Sequence, residues 1–444
     1  MSPTSYRTAP PRVASSIILP VRPLSNIDGA TGEAKKTSRR AKGQEAPPGA
    51  ANVERVTRPS TQLLLLLLTL FIIMVGFGIV IPTLPFLARQ VGASPVEMGL
   101  LVAVWAVAQL LTAPLWGNLS DRVGRKPVLI AGLLGYGVSF FLMAAARSYP
   151  MLLLARLAGG LLSAAALPTA LALAADLTPP ENRGAAMGQM GGAFGLGFLF
   201  GPAIGGVLAP LGITVPFIAA GVLALAAVPL GAIVLREPLR HRSPIVSQPL
   251  WRSLWQAVRS PYALLYWLAF GMTFGASAMF AMLGYYFIDR VHGSPAQVGL
   301  TFTLVGLAAS LIQFTAIGPA SRAWGEDRVA QSGLLLGAIG FAAIVLSGTT
   351  APLIASVVVT GIGMSLTRPA ITSLLSKRTQ HGQGLTMGVQ TSFDSLGRTV
   401  GPLWAGAIYV WDIRAPFLSA SAVFLAFLLI MLTSAARASL APEP

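Results

Sequence analysis

Well inside the apolar stretches of this chain, away from their ends, the side chains able to carry charge are one carboxylate, Asp394, and the guanidiniums Arg156, Arg368 and Arg398. A charge held in hydrocarbon costs kilocalories per mole unless it faces a partner or water, so each of these residues must answer to something. Asp394 is the only acid well inside an apolar stretch. Facing a water-filled cavity, it would suit the uptake and release of a proton. Arg398 follows four residues later, one helical turn on and on the same face, so a static ion pair is the competing reading. In that case Asp394 serves as a cation-attracting group or a structural partner. Arg156, in the run Leu154 to Gly160, must likewise meet a partner, water or backbone carbonyls. Arg368 is a second interior cation.

Cysteine is absent and the three histidines, His241, His292 and His381, fall between apolar stretches. A disulfide framework, a zinc finger, an iron–sulfur cluster and most histidine metal sites are therefore excluded, and no metal or cofactor is expected. The apolar stretches hold neither an acid–base pair with a nucleophile nor a ring of like charges, which argues against a membrane enzyme and against an ion channel.

Two further strings carry charge or tight packing. The first runs Gly117-Asn118-Leu119-Ser120-Asp121-Arg122-Val123-Gly124-Arg125-Lys126-Pro127. Gly117 and Gly124 permit close helix approach and a sharp turn, and Asp121 is able to cap a helix and pair with arginines. The alternative is that these charges only set topology. The second is Gly197-Phe198-Leu199-Phe200-Gly201-Pro202-Ala203-Ile204-Gly205-Gly206. Glycines four apart let a neighbouring helix come close, and Pro202 removes a backbone donor and kinks its helix.

The elements that position these residues follow from composition. The 444 residues are 54% hydrophobic and only 10% charged, with a mean hydropathy of +0.70, far from the composition of a soluble domain. From Thr61 to about Ala436, twelve apolar stretches near 62–88, 97–117, 128–147, 150–175, 184–209, 214–235, 262–288, 297–318, 329–348, 351–376, 384–410 and 414–436 each approach the length of about 20 residues that crosses a bilayer as helix. They are apolar all round rather than alternating with period two, which excludes a β-barrel. Residues 1–60, rich in Pro, Ser, Ala and basic side chains, read as a disordered cytosolic tail whose Arg/Ser content also resembles a transit peptide. The link 236–261 divides the stretches into two sets of six, so the expected organisation is a bundle over 61–235, a linker, a bundle over 262–436 and a short tail at 437–444.

Lys and Arg residues crowd one side: Arg122, Arg125, Lys126, Arg183, the link arginines, Arg322, Arg328, Lys377, Arg378 and Arg437, against Arg89, Arg147, Arg290 and Arg414 on the other. Positive charge stays in the cytoplasm during insertion, so both termini are expected there. The formal net charge of +16 is thus a topological charge, and a nucleic-acid partner is set aside. An internal repeat at an offset of 200 residues relates Ser94-Pro95 and Gly99-Leu100 to Ser294-Pro295 and Gly299-Leu300. It also relates Gly184, Met187 and Gly188 to Gly384, Met387 and Gly388, and Gly201-Pro202 and Gly206 to Gly401-Pro402 and Gly406. Two parallel six-helix halves of this kind build transporters whose site lies between the halves near the bilayer midplane.

The Gly117–Pro127 string resembles the loop signature of the major facilitator superfamily, with a softer echo at Gly318–Gly325 in which Arg322 stands at the aspartate position. The resemblance covers all but the first sixty residues. It implies an all-α membrane fold of twelve transmembrane helices in two pseudo-symmetric six-helix bundles. It also implies that Asp121 and Arg125, with Asp176 at the end of the fourth helix, form a charge cluster that latches the halves together on the cytoplasmic side. Arg156 matches an arginine linked to proton transfer in the family. The fifth-helix string, Gly197, Gly201, Pro202, Gly205 and Gly206, resembles that of the drug:proton antiporters, and Gly76 to Pro85 looks like the tetracycline-efflux type. Those relatives often carry an aspartate in the first helix, whereas Leu70 to Val75 has none, which puts proton coupling in doubt and leaves Asp394, Arg398 and Arg156 as its candidates.

Candidate linings of the cavity are Met272, Phe274, Met279, Phe280, Tyr285, Gln313, Gln390 and Phe393, an apolar and adaptable surface suited to amphipathic compounds. The resulting expectation is a monomeric transporter in the bilayer of a cell membrane, the bacterial inner membrane. It would move a small-molecule substrate outward, amphipathic or drug-like, in exchange for protons. The alternative is a facilitator or importer on the same fold without proton antiport, and neither substrate identity nor direction follows from the residues.

Overall fold

The computed structural model describes residues 61–235, 237, 258–260, 262–378 and 383–433, and their regular structure is helical throughout. The first half comprises α1 (Thr61–Gln90), α2 (Pro95–Val123), α3 (Arg125–Ala145), α4 (Tyr149–Ser163), α5 (Ala166–Asp176), α6 (Arg183–Leu208) and α7 (Val215–Val234). The second comprises α8 (Ala263–Val291), α9 (Pro295–Leu311), α10 (Ile317–Trp324), α11 (Glu326–Leu346), α12 (Thr350–Arg378), α13 (Gln383–Tyr409) and α14 (Ala415–Leu432). The tail 1–60, most of the link 236–261 and the tail 437–444 lie outside the described residues.

Two of the expected spans are interrupted. α4 and α5 form one span broken by a turn at Ala164–Ala165, and a wider π-turn at Ile312–Ala316 joins α9 to α10. Twelve spans result among the described residues. Eleven are long and apolar enough to cross a membrane by composition alone. The twelfth is α13, 27 residues long, which carries Asp394 and Arg398.

The repeat is visible in the caps. Ser94 accepts from the Glu97 amide while Glu97 returns to the Ser94 backbone; Ser294 and Gln297 do the same 200 residues on, each box followed by proline at the first helical position. It is equally visible in the packing, since α1 lies on α6 as α8 lies on α13. The halves meet through α2 against α13 and α6 against α9, which are equivalent pairs with the halves exchanged.

The repeated glycines make that contact possible. A Cβ on Gly299 would stand 2.6 Å from the Pro202 carbonyl oxygen, and one on Gly99 would collide with the Pro402 carbonyl. A Cβ on Gly406 would stand 2.5 Å from the Pro95 carbonyl, and Gly206 faces Ala296 and Gly299. Backbone therefore meets backbone across the halves, the close packing that small residues allow in a membrane.

Candidate functional site

Among the described residues, the cross-half contacts begin at one end of the molecule and reach about its middle, and the polar ones sit at that end. There Arg89 of α1 pairs with Asp289 of α8, the Tyr409 hydroxyl donates to Asp289 Oδ2 at 2.9 Å, and the Arg89 guanidinium lies 4.5 Å from the centre of the Tyr285 ring. Tyr285 in turn donates to the Ala93 carbonyl at 2.7 Å. Arg89 and Ala93 belong to one half, the other three residues to its repeat. Further along the axis, Phe198 of α6 meets Phe280 of α8 edge-on across the halves at 6.3 Å.

At the opposite end the halves part. A Cβ at Gly184, Gly188, Gly191, Gly192 or Gly195 of α6, at Gly117 of α2 or at Gly388 of α13 would meet nothing within 4 Å. The structure is thus a cleft closed at the Arg89 end and open at the Asp121 end.

At the rim of the open end, Arg125 organises a cluster. Its Nη1 is 2.7 Å from Asp121 and its Nε 3.1 Å from Asp176. Gly124 adopts φ +117°, a conformation that favours glycine, and leaves α3 without a side-chain cap of its own. Glu237 supplies one from beyond the first half: its carboxylate accepts from the Arg125 amide at 2.6 Å and the Lys126 amide at 2.8 Å. A carboxylate there also meets the positive end of the helix dipole. Arg122 is exposed. The whole cluster, as described, lies on the first-half side of the cleft.

The interior charges divide between the halves. Arg156 of α4 is buried, donating from Nε to the Leu101 carbonyl at 3.1 Å and lying over the Trp105 ring at 4.5 Å. Backbone oxygen and a π face thus answer this cation within its own half. In the second half, Asp394 is 7% exposed and is held by the Thr273 hydroxyl of α8 at 2.7 Å and Arg368 Nη2 of α12 at 3.1 Å. Its ion-pair partner is therefore Arg368 and not Arg398, because the carboxylate turns inward between α8 and α12 while Arg398 points elsewhere. Arg398 is exposed, although it interacts electrostatically with both Asp394 and Arg368.

The glycines of the α6 string pack against α1: a Cβ on Gly197 would meet Met74 at 2.5 Å, one on Gly201 the Gly78 Cα at 2.6 Å and one on Gly205 the Ile79 carbonyl at 2.7 Å. The Pro202 carbonyl and Gly206 face α9 of the second half, while the Pro202 ring stays against Gly78 of α1. Of the candidate linings, Met272, Phe274, Met279, Tyr285, Gln390 and Phe393 are buried among helices. Gln390 donates to Thr372 at 2.8 Å, and Phe393 stacks on Tyr266 at 5.6 Å. Phe280 is half-buried at the cross-half contact, and Gln313 is exposed on the π-turn. Sequence reading missed Arg89, Asp289, Tyr409 and Glu237. For the first two a signal existed, since they stand at the same 200-residue offset as the repeat.

Comparison with known proteins places the chain among transporters. Residues 66–292 and 280–443 match the family model "Major Facilitator Superfamily". The chain is 30% identical over 375 residues to the Quinolone resistance protein NorA of Staphylococcus aureus (strain COL), covering 84% of this chain and 96% of that protein. It is 30% identical over 377 residues to Multidrug resistance protein 2 of Bacillus subtilis (strain 168), covering 83% and 94%. Among solved structures, the human organic anion transporter MFSD10 (TETRAN) aligns with a TM-score of 0.60 at 26% identity, over 83% of this chain and 98% of that one. A bacterial homolog of the human lysosomal transporter Spinster, in an inward-facing and unoccupied conformation, shares the fold with a TM-score of 0.66 at 16% identity, over 86% and 96%.

Proposed function

Since the chain belongs to the major facilitator superfamily and is a multi-pass membrane transporter rather than an enzyme, we propose that it exports small amphipathic, drug-like molecules by alternating access, in exchange for protons. The observation that carries this reading is a cleft open at one end and locked at the other, with Asp394 about midway along its helix. The 30% identity to proteins described by quinolone and multidrug resistance supports export of drug-like molecules. The Lys/Arg bias supports a cytoplasmic position for the open end, for both termini and for the link between the two bundles, so the structure is read as inward-open in a bacterial inner membrane.

In this cycle the Arg89–Asp289 lock breaks as the outer end opens, and the Asp121–Arg125–Asp176 cluster closes against the second half. Asp394 is the group that exchanges protons, alternately reaching either side as the halves rock. Its Arg368 partner favours a second reading, a facilitator or importer without proton antiport in which the pair stays static. Resistance and accumulation assays on cells lacking their own efflux pumps test the choice. Export predicts lower intracellular accumulation of amphipathic compounds, abolished by a protonophore. Unchanged accumulation across the panel, or transport indifferent to the protonophore, would overturn it.

A further inference from the structure

The charge left over in the cleft identifies a chemical class of substrate. Among the described residues, three arginines and one aspartate lie well inside the spans. Arg156 is buried in the first half on the Leu101 carbonyl and the Trp105 ring, and Arg368 is paired with Asp394. Arg398 remains, with no ion-pair partner within 4 Å among the described residues, and it is exposed.

Its direction follows from the helix. With about 100° per residue, Arg398 lies about 40° round α13 from Asp394 and about 40° short of Pro402. Asp394 faces its own half, and Pro402 touches Gly99 of the other. Exposed apolar side chains, Leu396, Val400 and Leu403, occupy the far side of α13. Arg398 therefore faces the cleft between the halves, one turn nearer the closed end than Asp394. A guanidinium at that depth must be met by water or by a ligand, since hydrocarbon will not hold it.

We propose that Arg398 binds an anionic group of the substrate, a carboxylate, sulfonate or similar, while the apolar body of the same molecule lies against the cleft wall towards Phe198 and Phe280. The guanidinium fork suits such oxyanions, and the exposed edge of Arg368 adds a second positive charge beside it. Binding of the anion at Arg398 does not require the Arg368–Asp394 pair to open, so recognition of the anion and any proton exchange at Asp394 use separate groups. The inference rests on the cleft being the substrate path but not on proton coupling.

The test is binding without a gradient. Full-length protein in nanodiscs is titrated calorimetrically at fixed pH with naphthalene-2-sulfonate and with naphthalen-2-ylmethyl-trimethylammonium, probes of similar shape and permanent opposite charge. The sulfonate is expected to bind more tightly. Arg398→Gln should weaken it about tenfold or more, the worth of a charge-assisted hydrogen bond. Arg398→Lys should keep the preference for the anion, and Asp394→Asn should leave its affinity no weaker. Equal or tighter binding of the ammonium probe would overturn the proposal. So would an Arg398→Gln protein with unchanged sulfonate affinity, or an equal loss in Asp394→Asn. Failure of proton-driven transport with this selectivity intact would count against exchange alone.

Discussion

Arg89 and Asp289 stand 200 residues apart, at equivalent places in the two repeats, and pair with each other where the halves meet. A repeat normally puts like side chains at like positions. Here a cation faces an anion across the pseudo-symmetry axis, with Tyr409 holding the carboxylate and Tyr285 beneath the guanidinium. The pair is specific to the state closed at this end, which makes it a lever on the conformational equilibrium.

Asp289→Asn should therefore favour opening of the Arg89 end. The pair is partly exposed, so its contribution is about 0.2–1 kcal/mol, a change of up to about fivefold in state ratio. Spin labels on cysteines introduced at Gln90 and His292, in a chain with no native cysteine, would report it as a growing long-distance population. Distances identical to those of the parent protein would remove the lock from the mechanism.

Gly99→Ala and Gly299→Ala should act in the same direction by sterics. Each methyl would press on a proline carbonyl of the other half, and backbone there has little freedom to yield. The same spin-label pair should separate in each variant and more so in the double variant, with transport falling accordingly. Gly348→Ala is the control, because it lies outside the contact between the halves and a Cβ there meets nothing within 4 Å.

Much of this arrangement was legible in the residues. The spans and the 200-residue repeat are local or periodic signals, and they appear as helices, as equivalent packing pairs and as matching capping boxes at Ser94 and Ser294. The partner of Asp394 was not legible. Arg398 is its neighbour along the helix, yet Arg368 and Thr273 reach it from α12 and α8, and no local pattern encodes a contact made by three helices. The break in the fourth span at Ala164–Ala165 was equally silent, since alanines favour continuous helix. It is accommodated by tertiary contacts: Trp116 donates to the Leu161 carbonyl at 2.7 Å and Gln109 to Ser163 at 3.4 Å. The apolar linings failed as a guide to the cleft for a related reason. In a membrane protein, methionine and aromatic side chains fill helix interfaces as readily as cavities, and here most of them are buried.

At the open end, Asp121→Asn should shift the population further towards the state seen here and cut transport while leaving expression largely intact. The Asp121–Arg125 contact is already made in the open state and is partly exposed, so what is at stake is the contact Asp121 gains when the cluster closes on the second half, about 0.2–1 kcal/mol. A transport rate equal to that of the parent protein would reduce these charges to topological signals.

Glu237→Ala should act on stability more than on the cycle. It removes the acceptor for two amides at the start of α3, a helix that Gly124 leaves uncapped, and loss of such a cap costs about 0.5–2 kcal/mol. A lower thermal midpoint in detergent, with the transport rate per folded molecule little changed, is the expected pattern. An unchanged midpoint would show that Glu237 contributes nothing as a cap.

Proton exchange at Asp394 is tested most directly in reconstituted vesicles, with a compound found by accumulation assay and an imposed pH gradient. The parent protein should show gradient-driven uptake with counterflow of protons. Asp394→Asn should lose gradient-driven uptake while still exchanging labelled for unlabelled substrate. Gradient-driven uptake in Asp394→Asn equal to that of the parent would contradict the account and leave Arg156, or a facilitator mechanism, in its place.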